Sequence, residues 1–403
     1  MTRTEVDIEA RRRSLAILSA ALVLSMTTWF SASAVIPQLR AAWGLSDTSA
    51  ALLTIAVQLG FVTGALVSSI FNVADIVSVR ATILGGALGA AVLNALLLVS
   101  DGISTALPLR FGTGFFLAGV YPPALKLMAT WYREGRGTAL GVLVGALTIG
   151  SAAPHLVNGL GGLDADVVVA MTSILTAIGG VLAVAVSDGP FPFPRGAFDP
   201  RQFRRVFANR GVRLASIGYF GHMWELYAMW AWFVVFFDAA LEGSDSGSAP
   251  AFAAFAVIGI GGLGCYAGGV LGERWARTKT TALMMAVSGT CAATIGLLFT
   301  APAPLLLVVG LLWGFSVVAD SAQFSTIVTE LADQSYVGTA LTLQLALGFT
   351  LTVLTIWLIP IVEGAVGWRW AFSVLVPGPI LGAAAMLRLR STPEARAIAG
   401  GRG

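Results

Sequence analysis

Gly137-Thr138-Ala139-Leu140 opens one long apolar run, and Gly338-Thr339-Ala340-Leu341 opens another, 201 residues further on. A four-residue match is weak by itself. Here both copies stand at the start of the fifth apolar run of a half-chain, and the chain is 403 residues long. The offset is therefore half the length, and the chain reads as a doubled unit.

Working outward from these two points, the apolar runs number twelve: 14–37, 48–71, 80–100, 103–129, 137–159, 166–187, 213–238, 250–272, 280–300, 303–328, 337–361 and 369–389. A helix needs about 20 apolar residues to cross the hydrocarbon of a bilayer. Lipid offers no water to an exposed backbone, and the two-residue alternation of a barrel strand is missing, so each run is read as a helix. Composition agrees, with 57% hydrophobic and only 11% charged residues. A soluble domain carries about 25% charged residues. Arg11-Arg12-Arg13 ahead of the first run resembles the start of a signal peptide, but the run exceeds the roughly 7–15 apolar residues of such a segment and is read as a retained helix.

Lys and Arg set the orientation. Twenty of the 24 fall on the side that holds both termini, and the opposite side holds Arg40 and Arg369. The reading is a multi-pass protein of the plasma (inner) membrane with both termini cytoplasmic. The basic residues are topological anchors, so no nucleic-acid partner is expected. The longest polar stretch, 188–212, carries Pro190, Pro192 and Pro194 and five arginines. It divides the chain into a six-helix bundle (1–187), a cytoplasmic linker (188–212) and a second six-helix bundle (213–403). Parallel repeats of this kind imply a pseudo-two-fold axis along the membrane normal and a transport site near the midplane.

The loop after the eighth run contains Gly269, Leu271, Glu273, Arg274 and Arg277, with Ala276 between the arginines. An eroded copy after the second run keeps Asp75 and Arg80, but has Phe71, Ser78 and Val79 at its other positions. This pair of loops resembles the G-x-L-x-D-R-x-G-R pattern of the major facilitator superfamily, and the likeness extends over essentially the whole chain. The resemblance implies an all-α polytopic fold of twelve transmembrane helices, alternating access, and a gating latch at Asp75, Arg80, Gly269, Glu273, Arg274 and Arg277. An acid facing the positive N-terminal end of a neighbouring helix is an attraction that breaks and reforms.

Charges inside the spans are functional candidates because insertion scales put each at about 2.5–3.5 kcal/mol. Arg110, in Leu109-Arg110-Phe111-Gly112-Thr113-Gly114, resembles the family's fourth-helix arginine linked with proton coupling or anion binding. It lies roughly 10 Å below the outer surface, so outward snorkelling competes. Lys126 lies roughly 24 Å deeper, where snorkelling to the inner interface competes equally. In Gly221-His222-Met223-Trp224-Glu225-Leu226-Tyr227, His222 and Glu225 are three apart and are expected to titrate as a pair. Glu225 is the first choice for proton coupling, with Asp320 and His222 beside it. Arg110, Lys126, Tyr121, His155, Trp224, Tyr227, Gln58, Gln323 and Gln344 are read as substrate-binding. Asn158 is a further cavity candidate. Gly85 with Gly89, Gly141 with Gly145 and Gly310 with Gly314 are read as close helix contacts.

No phosphate-binding loop, zinc motif or nucleophile elbow is present in the sequence, so neither an ATP-driven pump nor an enzyme is expected, and no cofactor or metal. The fifth run has Pro154 without the glycines of the family's antiporter pattern. The seventh run and Tyr121-Pro122-Pro123 are loosely similar to bacterial members grouped with nitrate/nitrite porters, without the nitrate signatures. The sum of Arg110, Lys126, Glu225 and Asp320 is zero, and protonating one acid leaves a positive charge for an anion to neutralise. The resulting expectation is a monomeric secondary transporter that takes up a small organic anion with protons. The alternative is a proton antiporter that exports a drug or metabolite.

Overall fold

The computed structural model describes all residues except 1–7, 72, 133–134, 161–163, 192–199, 242–246 and 334–335, and omits the side chains of Asp47, Ala74, Asp75, Pro200 and Phe203. The described secondary structure is helical. Ten helices are long and apolar enough to cross a membrane: Thr48–Ile70, Val79–Val99, Ile103–Ala129, Arg136–Leu160, Ala165–Ala183, Ala249–Arg274, Arg277–Leu298, Ala303–Leu331, Val337–Val366 and Trp368–Arg390. The first span is a bent pair, Ile8–Thr28 with Ser33–Trp43, turned by 49°. The seventh is Arg210–Ala240, rich in aromatic and polar residues.

Two differences from the sequence reading concern boundaries. The first span is broken, because Thr27, Thr28, Ser31 and Ser33 concentrate hydroxyls that compete for the backbone. The seventh helix starts at Arg210, inside the stretch read as linker, because Asn209 caps it by accepting from the Val212 N–H at 3.1 Å. Ser46, Ser78 and Asp164 cap the second, third and sixth spans in the same way.

Packing repeats the doubling. In the first half the first span contacts the fifth and sixth, the second contacts the fourth, and the third contacts the fourth and sixth. The second half reproduces this with the seventh on the eleventh and twelfth, the eighth on the tenth, and the ninth on the tenth and twelfth. The largest contacts between the halves are made by two pairs, second with eleventh and fifth with eighth, which exchange under the same operation, and the fifth also touches the tenth. The copies agree down to single contacts. Cβ atoms added at Gly60 and Gly64 would overlap the carbonyl oxygens of Phe111 and Phe115. Gly264 and Gly268, 204 residues on, stand in the same way against Phe315 and Ala319.

The glycine pairs read as close contacts hold with one exception. Gly141 and Gly145 lie against the Cys265 and Gly262 carbonyls, and Gly310 and Gly314 against Phe233 and the Val257 carbonyl. Gly85 faces open space, with nothing within 4 Å of an added Cβ. Overpacking a closed seam costs about 1–3 kcal/mol. Gly64→Leu and Gly268→Leu should therefore each lower the unfolding temperature in detergent by several degrees, while Gly85→Leu leaves it unchanged. Equal melting of all three would refute the packing register.

Candidate functional site

Where the halves meet, six buried aromatic rings close on one another. Trp29 and Phe30 lie in and beside the break of the first span, Phe61 on the second, Tyr227 and Trp230 on the seventh, and Phe349 on the eleventh. Trp29 is 4.8 Å from Phe61, 5.7 Å from Tyr227 and 5.8 Å from Phe349, centroid to centroid. Phe61 and Phe349 are 4.6 Å apart, and Phe30 meets Trp230 at 6.0 Å. These contacts all join one half to the other or link rings that do.

Buried polar atoms without a hydrogen-bond partner occur on the same spans and on the fifth. They include both amide atoms of Gln58, the indole nitrogens of Trp29 and Trp230, both nitrogens of His155, and Nε2 of Gln344. A buried unpaired polar group costs about 1–3 kcal/mol, so these groups are suited to a partner that the protein itself does not supply. The ring cluster and these groups together offer apolar ring faces and neutral donors and acceptors.

The ionisable residues lie elsewhere, in two knots. Arg110 is fully buried and neither snorkels nor faces the rings. Its guanidinium donates to the Thr28 carbonyl at 2.9 Å, Ser31 Oγ at 3.0 Å, Asn94 Oδ1 at 3.1 Å, the Trp29 carbonyl at 2.6 Å and the Leu53 carbonyl at 3.4 Å. Asn94 in turn donates to Val169, Thr172 and Ser173 on the sixth span. Glu225 is held within the second half. Trp313 Nε1 donates to Oε1 at 2.6 Å and Ser288 Oγ donates to Oε2 at 2.9 Å.

The expected pairing of His222 with Glu225 is not the one formed. His222 Nδ1 lies 2.9 Å from Asp320 Oδ1, and Nε2 of His222 has no partner. Asp320 stands at the interruption of the tenth span, between helices ending at Ala319 and starting at Ser321. Helical spacing put His222 and Glu225 on one face. The tenth span, packed across that face, receives one at its break and the other about two turns earlier, at Trp313.

Other expected lining residues divide. Tyr227 is in the ring cluster, and Gln58 and Gln344 share its flanking spans. Tyr121 is half-buried, within electrostatic reach of Tyr219 and Tyr227, and Lys126 is half-buried five residues later. Trp224 turns away, donating to the Val374 carbonyl at 3.0 Å and packing on Gly378. Asn158 donates to the Ala34 carbonyl at 2.8 Å and accepts from Gln38 at 3.2 Å, tying the fifth span to the first. Gln323 accepts from Arg277 at 2.9 Å. Trp29, Phe30, Phe61 and Phe349 went unread because an aromatic in an apolar run looks the same whether it faces lipid, a helix or a chamber.

At the end of the bundle that holds the C-terminal segment, Glu273 reaches across the halves. Thr138 N–H donates to Oε1 at 3.0 Å and Thr138 Oγ1 donates to Oε2 at 3.0 Å. Thr138 is in the first turn of the fifth span, so the carboxylate caps a helix N-terminus of the other half. Gly269 permits the approach: an added Cβ would stand 3.0 Å from Thr138 Cα. Arg277 pairs with Glu330 at 3.0 Å, and its guanidinium also lies against Gly137 of the other half. Arg274 is exposed at the end of the eighth span, and Arg80 is half-buried in the first turn of the third. The side chain of Asp75 lies outside the described residues. Ser69 Oγ and Thr342 Oγ1, 3.2 Å apart, join the other pair of spans at the same end.

A sequence profile of the Major Facilitator Superfamily matches residues 18–355. No curated protein matches the chain. Among solved structures, the chain is similar to a bacterial homolog of the human lysosomal transporter Spinster. In its inward-facing, occupied form the TM-score is 0.70 at 15% identity, over 95% of this chain and 97% of that one. In the inward-facing, unoccupied form the TM-score is 0.68 at 14% identity, over 98% and 100%. The likeness is one of fold.

Cys265 reports on the seam, being buried where Gly141 and Gly145 of the fifth span press on the eighth. A carboxylate at a helix N-terminus contributes about 0.3–1 kcal/mol, up to about 2 kcal/mol when partly buried. In a Cys291→Ser background, Glu273→Ala should speed maleimide labelling of Cys265 several-fold. Unchanged labelling would show that this contact does not hold the face closed.

Proposed function

The chain belongs to the Major Facilitator Superfamily, and we propose that it is a proton-coupled secondary transporter whose solute binds in the six-ring chamber at the seam. The observation that carries this reading is the coincidence of ring faces from both halves with buried donors and acceptors that lack partners. A site shared by both halves is what rocking one half against the other exposes alternately. The Lys and Arg asymmetry supports cytoplasmic termini, so the face closed by Glu273 is the cytoplasmic one, and the membrane is the plasma (inner) membrane.

Solute chemistry follows the chamber. Ring faces and neutral amides suit an organic molecule with an apolar body and a few hydrogen-bonding groups. The anion expected from the charge count has a narrower basis, since the donors of Arg110 are already taken up by its own half. Lys126 is the remaining intramembrane cation for that reading. A proton carrier must be free to change partners, which favours Asp320 with His222, at a helix break, over Glu225, whose two oxygens are both occupied. Proton-driven uptake and proton antiport use the same parts.

In proteoliposomes with an imposed proton gradient, Asp320→Asn should lose pH-driven accumulation and keep solute counterflow. Glu225→Gln should keep coupling. It should lower the unfolding temperature, because it leaves the Trp313 or Ser288 donor poorly matched, at a cost of about 1–3 kcal/mol. The opposite pattern would return the coupling role to Glu225. A potential-independent uptake driven by the proton gradient indicates an anion, and potential-driven uptake a neutral or cationic solute. Binding that survives Trp230→Ala and Tyr227→Ala together would overturn the chamber as the site.

A further inference from the structure

A pocket lies beside the latch, and its lining residues include none of the six rings. It encloses about 430 Å³ and is lined by Arg390, Arg396 and Arg402 with Ser391, Thr392 and the backbone of neighbouring residues. None of its nine lining side chains is acidic, and the α-carboxylate of Gly403 is the one negative group among them. The three exposed arginines carry more charge than that carboxylate neutralises, and their forked donors match the oxygens of a phosphate.

The chain takes trouble to form this cavity. The twelfth span ends at Arg390, and the chain then doubles back through short turns at Pro393–Ala397 and Ala399–Gly401. Ala399 has φ 52°, a left-handed conformation uncommon for a residue with a Cβ. It is held there because its N–H donates to Glu330 Oε2 at 3.2 Å. The Thr278 N–H donates to the Gly403 carbonyl at 3.2 Å, and Arg402 donates to the backbone carbonyl of Glu273. Topology alone accounts for basic residues on this face. It does not account for three of them gathered into one cavity by a strained turn, nor for one of them bonded to the residue whose carboxylate bridges the halves.

We propose that this cavity binds a phosphate group, and that the bound phosphate draws Arg402 from the Glu273 carbonyl and so loosens the latch. At the membrane boundary the phosphate comes either from an anionic lipid headgroup or from solution. This inference is independent of what the chamber carries.

The test uses the full chain purified in neutral detergent. One arm titrates inorganic phosphate and reads the unfolding temperature, which rises saturably for a ligand that binds only the folded state. The other reconstitutes the protein in phosphatidylcholine vesicles with or without phosphatidylglycerol and counts retained lipids by native mass spectrometry. Arg390→Gln with Arg396→Gln should weaken the effective ligand at least tenfold, while Arg204→Gln, on the linker outside the cavity, leaves it unchanged. Arg396 is exposed and off the helix, so the single variant serves if the double one does not fold. Protection by phosphate identifies a soluble ligand, and retained phosphatidylglycerol without phosphate protection identifies a headgroup. In either case the ligand should speed labelling of Cys265, and Arg402→Gln should do so without it. If neither phosphate nor phosphatidylglycerol distinguishes the variant from the parent, or if the ligand leaves Cys265 labelling unchanged, the proposal fails.

Discussion

The break in the first span and the guanidinium of Arg110 each remove a cost that the other would otherwise impose. A helix interrupted inside the membrane leaves carbonyl oxygens that no water reaches. An arginine buried among helices is unfavourable unless its donors are all engaged. Here the freed carbonyls of Thr28 and Trp29 accept from the arginine, and Leu53, Ser31 and Asn94 take its remaining donors. One cation thereby ties the first four spans together and, through Asn94, the sixth. The same break swings the Trp29 ring away from the path of a straight helix and into the seam with Tyr227 and Phe349. The chamber is thus downstream of the arginine, although the arginine does not face it.

The second half performs the corresponding task with a carboxyl group. Gly314 stands 204 residues after Arg110, and where Arg110 bonds the Leu53 carbonyl, Gly314 brings the backbone itself onto the Val257 carbonyl. The seventh, ninth and tenth spans are joined instead by Glu225, Ser288 and Trp313. A repeat preserved in helix packing has therefore diverged in how each copy ties its interior. Each knot is made of hydrogen bonds in a medium of low dielectric, where such bonds are strong and their loss is expensive. This is a reason for each half to move as a body.

Much of this architecture was legible in the sequence, since span number, the doubled plan and the family pattern follow from hydropathy, the half-chain offset and the residues around Glu273. The location of charged side chains was legible too, but their partners were not. Helical spacing places His222 and Glu225 on one face. It says nothing about which residue of the tenth span lies opposite each, and that residue decides the pairing. Depth below the surface suggested snorkelling for Arg110, because depth ignores a broken neighbour that offers carbonyls sideways. The chamber rings carried no signal beyond being aromatic, since in a bilayer the same residues serve lipid and protein equally well.

The seam between the halves is built from weaker material than their interiors. Lipid tails are as apolar as the side chains, so burial alone gives the halves little reason to stay together. Among the described residues, the terminal face is held by a carboxylate on a helix N-terminus, a pair of hydroxyls, the attraction of Arg136 for Glu330, and glycines that let backbones touch. Contributions of about 0.3–1 kcal/mol for the capped helix end are comparable with thermal energy and are easily exchanged for water. Glu273 and Ser69 lie on the eighth and second spans, and their partners on the fifth and eleventh, so both inter-half pairs are fastened near the same end. Separating them there needs no bond within either half to break. Knots of many partners inside each half, joined by few polar contacts between halves, form the mechanical contrast that a rocking transporter requires.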